Sequence, residues 1–175
     1  MSYLTRAQES KFELNERGTL TVENAFLFWT NFKGLPTEYN KQGGRRTFCI
    51  SLTKEIADRL QEEGWNVKYR EPRNEDDDPF YFTECVVNMN SNYEPRIMLC
   101  SEWNGKKSMN RLHGDAVGKL DDLRFENIDV VIDSHRYEKG AKGYCNTLVA
   151  TQRKSDLFGG KYAEYEMASE EDLPF

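Results

Sequence analysis

No stretch of this chain is apolar for anything like the roughly 18 residues that a membrane-crossing helix needs. Its N-terminus lacks the basic-then-apolar pattern of a secretory leader. Histidine is scarce: His113 and His135 are the only two, and neither has a Ser or Cys at a spacing that suggests nucleophilic catalysis. The four cysteines (Cys49, Cys85, Cys100 and Cys145) form no C-x-x-C pair and no Cys/His cluster. That argues against zinc and for free, buried thiols in a reducing compartment. No glycine-rich phosphate cradle occurs, since Gly43-Gly44 and Gly159-Gly160 read as turns or linkers. No metal and no cofactor are expected.

What the chain does have is aromatic and charged side chains. Aromatics make up 13% of it, and the net charge is −6, from 24 basic and 30 acidic residues. The negative total is misleading. From Glu164 onward there are five acidic side chains and no basic one, and removing those five from the 30 leaves 25 against 24. A near-neutral body can still carry a basic face if its charges segregate. The acidic stretch itself cannot fold back as a core element, because its charges repel and its apolar area is too small to offset the entropy of ordering. It ends on Leu173-Pro174-Phe175, where a ring beside a carboxylate suits a small basic pocket on a partner. The plainer alternative is a frayed terminus that aids solubility.

Read in order, residues 1–18 are polar and mixed, which predicts a flexible arm. Thr19 to Phe32 is β-branched and aromatic, a long first strand, and Gly34-Leu35-Pro36 opens a polar loop to Gly44. Arg45 to Leu52 is the second strand. Thr53 as an N-cap, Ile56, Ala57 and Leu60 at helical spacing, and Gly64 as a stop predict a helix, followed by a short strand over Trp65 to Arg70. Phe80 to Met89 and Pro95 to Trp103, parted by Asn90-Ser91-Asn92, suggest one hairpin, and Asn104-Gly105 signals another. Residues 115–123 read as a short helix with Asp115 as its N-cap. Strands over Asn127 to His135 and Tyr144 to Thr151 follow, with a turn over Glu138 to Gly143. The expected organisation is an arm (1–18), one domain (19–155) and a tail (156–175).

Basic residues cluster beside rings along this order. Unspecific binding of a single strand uses that pattern, because every base has a face that stacks on a ring while cations track the phosphates. The candidate DNA-contacting residues are Phe32, Lys33, Tyr39, Lys41, Arg45, Arg46, Phe48, Trp65, Lys68, Tyr69, Trp103, Lys106, Lys107, Arg136 and Tyr137. Phe26, Phe28, Phe80 and Phe82 read as core; Tyr39 and Trp103, on loops, read as exposed. The acidic series Asp115, Asp121, Asp122, Glu126, Asp129 and Asp133 raises the weaker alternative of a Mg²⁺-dependent nuclease. Asp121 and Asp122 adjoin on a helix and point apart, so nothing holds two carboxylates on one metal.

The ending Glu170-Glu171-Asp172-Leu173-Pro174-Phe175 closely resembles the acidic tip of bacterial and bacteriophage single-stranded-DNA-binding proteins. The body resembles their phage-type branch. The matching features are Phe28-Trp29-Thr30-Asn31-Phe32 before Gly34, Arg45-Arg46-Thr47-Phe48-Cys49, Gly64-Trp65-Asn66-Val67-Lys68 and Glu75-Asp76-Asp77-Asp78-Pro79. The resemblance runs loosely over residues 19–152. It implies a mainly β fold: a five-stranded OB-type barrel with an inserted helix, a short capping helix and a disordered acidic C-terminal tail. The element order agrees, because residues 115–123 fall between the third and fourth strands. The function implied is a non-enzymatic, cytoplasmic protein (host cytoplasm if phage-encoded) that coats single-stranded DNA in replication, recombination and repair. It recruits partner enzymes through Glu170 to Phe175, binds no membrane, and is compatible with a homo-oligomer. The alternative from another class is a structural or regulatory adaptor whose tail alone is active.

Overall fold

The computed structural model describes residues 3–73, 78–103 and 105–153, apart from the Trp103 side chain. In chain order the elements are α1 (Tyr3–Gln8), β1 (Lys11–Leu14), β2 (Leu20–Glu23), β3 (Leu27–Asn31) and β4 (Thr47–Leu52). Next come α2 (Lys54–Glu62), β5 (Val67–Arg70), β6 (Phe80–Val86), β7 (Arg96–Trp103) and β8 (Lys106–Leu112). A 3₁₀ helix (Gly114–Asp122), β9 (Phe125–Tyr137) and β10 (Gly140–Gln152) complete the fold. Among the described residues no helix is long and apolar enough to cross a membrane.

The expected first strand is there but broken in two. Asn24 takes φ +54°, a left-handed conformation that Asn tolerates better than most residues. The kink is pinned where Ala25 N–H donates to the Ile128 carbonyl at 2.7 Å and Asn24 N–H donates to Asp129 Oδ1 at 3.0 Å. The bend lets one run serve two neighbours: β2 pairs antiparallel with β9, and β3 pairs antiparallel with β4. From β4 the ladder passes to β6, then in parallel to β10, and then back to β9. The pairings thus return to their start, giving a five-stranded, partly open barrel of the OB type.

Period-2 alternation fills the interior. Phe48, Ile50 and Leu52 of β4 point in with Leu20, Val22, Cys85, Val130, Ile132 and Leu148. From α2, Ile56, Ala57 and Leu60 join this core, and from the 3₁₀ helix, Val117 and Leu120. The Thr53 hydroxyl accepts from Ile56 N–H at 3.5 Å, so the predicted cap starts α2. Cys49, Cys85 and Cys145 are buried, and Cys100 is half-buried. Burial pushes the Cys49 thiol up to about 11 and that of Cys145 to about 12, and it holds Cys85 well above the usual range.

Four expectations are corrected. Residues 3–14 of the expected flexible arm are built into the body: β1 pairs with β2, and α1 packs against β4 and β6. The segments Phe80 to Met89 and Pro95 to Trp103 do not form a hairpin. Instead β6 and β7 both run parallel to β10, at Gly143 opposite Cys85 and at Thr147 opposite Arg96. The capping helix is 3₁₀, and its N-cap is His113 rather than Asp115, whose carboxylate instead accepts from Arg46. Finally, the turn expected over Glu138 to Gly143 is shorter, because β10 already starts at Gly140, paired with Tyr137. The Asn-Gly signal was sound: Trp103 opposes Lys106 across it.

Candidate nucleic-acid interface

Because β4 sends Phe48, Ile50 and Leu52 inward, its odd-numbered residues face out. The register sets Phe28, Cys49 and Glu84 abreast on the outer face, and it sets Lys68 opposite Phe82. On β10, Ala141, Gly143 and Cys145 are buried, so Lys142 and Tyr144 turn outward beside β6. Gly143 has to be glycine, because a Cβ there would sit 2.7 Å from the Trp65 ring and 2.9 Å from Ile132.

Three open concavities lie along this face. One of about 200 Å³ is lined by Arg45, Lys68, Glu84, Tyr137 and Lys142. The next, about 420 Å³, runs between the Asn40–Arg46 loop and Val86 to Asn90, and shares Arg45 with the first. The third, about 490 Å³, shares Asn88 with the second and is lined by Tyr93, Arg96, Arg111, Asp133 and Tyr144 among others. The first and second thus adjoin at Arg45 and the second and third at Asn88, a row of three that forms the candidate track. The loop beside it closes through Gly44 N–H donating to the Gly34 carbonyl at 2.8 Å, and Gly34, Gly43 and Gly44 all have positive φ.

The charge of the track is uneven. In the smallest concavity three cations surround one anion, and Arg45 reaches Glu84 at 3.1 Å. Burial, reinforced by the neighbouring Arg45, lowers the Lys142 pKa from its ordinary value. This end carries three cations against one carboxylate, an excess of positive charge that phosphate would relieve. At the far end Arg96 and Arg111 are balanced by Glu94 and Asp133. Asp133 accepts from the Thr19 hydroxyl at 3.0 Å and from Asn146 at 2.7 Å, and Glu94 pairs with His113 at 2.9 Å.

Next to the track the same outer face carries a ring cluster. Phe28, Phe82 and Cys49 are buried there, with Tyr3, Phe26 and Phe80 packed against them. Trp29 sits at its margin with φ +46°, where the β3–β4 register slips. Its ring is half-exposed, edge-on to Phe82 at 5.4 Å, with the Arg70 guanidinium 5.2 Å from its centre.

With that geometry in hand, the sequence matches the family model described as "Putative phage ssDNA-binding domain" over residues 7–174. The chain belongs to this family. No curated protein matches it. Among solved structures it is similar to the single-stranded DNA-binding protein from bacteriophage Enc34 in complex with ssDNA, with a TM-score of 0.47 at 10% identity over 81% of this chain and 89% of that one. It is likewise similar to that protein without the complex (TM-score 0.47, 9% identity, 81% and 85% covered) and to its C-terminal truncation (0.45, 9%, 84% and 97%).

For this phage ssDNA-binding family member, the candidate residues fall into groups. Phe32, Phe48 and Trp65 are core, only 2%, 0% and 3% exposed, so in this fold they offer no ring face to a base. Phe32 and Phe48 stack on each other at 5.8 Å. Arg46 is a brace: it donates to the Phe32 carbonyl at 2.6 Å and to Asp115 at 2.7 Å. Lys33 is clamped to Asp122 at 2.7 Å, a hydrogen bond that raises its pKa. Arg45, Lys68 and Tyr137 come together in the smallest concavity. Tyr39 (98% exposed), Lys41 and Tyr69 are open to solvent, as are Arg136 and, on the β7–β8 hairpin, Lys106 and Lys107. The Trp103 side chain and the tip Glu170, Glu171, Asp172, Leu173, Pro174 and Phe175 lie outside the described residues. In the sequence Lys142, Tyr144 and Arg111 belong to the clusters of basic residues beside rings without being named as contacts, and Tyr93 and Arg96 were left out; alternation along β10 could have singled out Lys142 and Tyr144. Of the acidic series, Asp121 accepts from Phe32 and Lys33 N–H, Asp115 and Asp122 are ion-paired, and Asp129 and Asp133 accept hydrogen bonds. Among the described residues no group of three His, Cys, Asp or Glu side chains is placed to hold a metal.

Proposed function

We propose that this chain is a non-enzymatic single-stranded-DNA-binding protein that lays an unpaired strand along the track from Tyr137 and Lys142, past Arg45, to Tyr93 and Arg96. The observation that carries this reading is that the three concavities adjoin in a row, at Arg45 and at Asn88. Cations at one end attract phosphate, and Tyr137 and Tyr93, half or more exposed, supply stacking faces that are indifferent to base identity. Family membership supports the ligand class. Coating of exposed strands during replication, recombination and repair follows from such binding. The acidic tip ending Leu173-Pro174-Phe175 serves as the hook for partner enzymes and, when no DNA is bound, competes for the cationic end of the track.

The test is a titration of oligo(dT), single-stranded RNA and duplex DNA at several salt concentrations. The tightest binding is expected for unpaired DNA, without Mg²⁺, and log affinity should fall with log salt at about 0.7 per phosphate contact. No saturable binding of oligo(dT) at low salt contradicts the assignment. Deleting residues 164–175 should tighten low-salt binding; unchanged affinity removes the competition.

A further inference from the structure

The ring cluster beside the track is covered by the chain's own α1. Tyr3 lies nearly parallel to Phe28, with ring centres 4.7 Å apart at 28°, and it touches Phe26 at 5.1 Å and Phe80 at 4.8 Å. One turn on, the Arg6 guanidinium stands 4.2 Å over the Phe26 ring. A flat ring stacked on a phenyl, with a cation on the adjoining face, is the arrangement by which proteins hold an unpaired base and its phosphate. Here the chain itself supplies both parts.

The cover is short. At six residues α1 is far below the length at which a helix holds itself together in water, so its order depends on what it packs against. Besides the ring contacts, the Ser51 hydroxyl donates to the Tyr3 carbonyl at 2.8 Å, the Ser10 hydroxyl donates to the Asn24 carbonyl at 2.6 Å, the Asn24 side-chain amide donates to the Glu9 carbonyl at 3.4 Å, and Ala7 is buried. The cluster is also continuous with the track, because Phe28, Cys49 and Glu84 lie abreast and Lys68 opposes Phe82. A strand leaving the Arg45–Lys68 end of the track therefore comes onto this cluster, whose Phe26, Phe28 and Phe80 carry Tyr3.

We infer that α1 is an internal competitor for nucleobases: Tyr3 occupies a stacking platform made by Phe26, Phe28 and Phe80, and an incoming single strand displaces it. This rests on the reading of the track as a single-strand site, and it adds a second, normally closed base-binding surface under the N-terminal helix.

Hydrogen exchange of the full chain with and without saturating oligo(dT) separates the two ideas. The expected result is faster exchange of the amides at 4–9 on binding, together with slower exchange around Glu84 and Lys142. Slowing at Glu84 and Lys142 with unchanged or slower exchange at 4–9 overturns the inference and leaves the track intact. No slowing at either place overturns both. As a second arm, Tyr3→Ala is expected to tighten oligo(dT) binding about tenfold, within the span of one base stack. Equal or weaker binding by Tyr3→Ala also overturns it.

Discussion

The outer face of this barrel holds rings and cations in two arrangements. Along the track the rings are Tyr93 and Tyr137, open to water, and the half-buried Tyr144, set among Arg45, Lys142, Arg96 and Arg111. In the adjoining cluster they are Phe26, Phe28, Phe80 and Phe82, with Phe28 edge-on to Phe80 and Phe82 and nearly parallel to Phe26, and with Tyr3 and Arg6 lying over Phe26, Phe28 and Phe80. A tyrosine keeps a hydroxyl for water and can stay exposed at little cost, whereas four neighbouring phenyls left bare would form an apolar patch that invites association. The difference in residue type explains why one surface stands open and the other needs a cover. It also separates two kinds of free energy: the covered rings contribute to folding, the open ones to binding.

That separation can be broken by substitution. The largest effect is expected from Phe28→Ala, which empties the middle of the cluster and should cost about 3–5 kcal/mol in urea unfolding. Tyr137→Ala should stay within about 0.5 kcal/mol of the parent, as surface changes do. Equal losses from the two would erase the distinction. In binding, Tyr93→Ala and Tyr137→Ala should each weaken oligo(dT) affinity by roughly 1–3 kcal/mol, measured by fluorescence anisotropy.

The two regions differ in the same way in how far they could be read from the sequence. Local signals were legible: Thr53 and Gly64 bracketed α2, Asn104-Gly105 marked the β7–β8 turn, and the position of the 3₁₀ helix indicated the barrel. Facing was harder. In Arg45-Arg46-Thr47-Phe48, residues of one parity share a face, so Phe48 goes to the core, Arg46 is held as a brace at the wall of the second concavity, and Arg45 turns out into the first. Adjacency of a ring and a cation in a strand therefore says little about whether they meet. Trp29 was named for the resemblance but not as a contact, for another reason: a register slip and a positive φ accompany its exposure, and nothing local announces either. The parallel pairing of β10 with both β6 and β7 joins segments about 50 residues apart in sequence, beyond any local pattern.

Smaller effects sharpen the charge side of the comparison. Arg45→Ala should reduce the salt slope of binding by about 0.7, the value of one single-strand phosphate contact. Lys142 adds a pH signature. Burial and Arg45 disfavour its protonated form, so it sheds its proton below the ordinary lysine value of 10.5. Phosphate favours the protonated form, so affinity should decline as pH rises through that lowered value, and Lys142→Arg should remove the decline. For folding the sign is reversed: the cost of holding the protonated lysine is present at neutral pH and is relieved as pH climbs from its folded value toward its unfolded one. The smallest effect is expected from Arg70→Ala, which takes the guanidinium off Trp29 and should cost about 0.5–1 kcal/mol of stability.

The most direct test of the account is to cross-link oligo(dT) to the full chain with ultraviolet light and map the modified peptides. Adducts at Tyr137, Tyr93 or Tyr144 are predicted, because these rings line the track. Adducts confined to β1, β2 or α2, with none along β10 or the loop holding Tyr93, would contradict it.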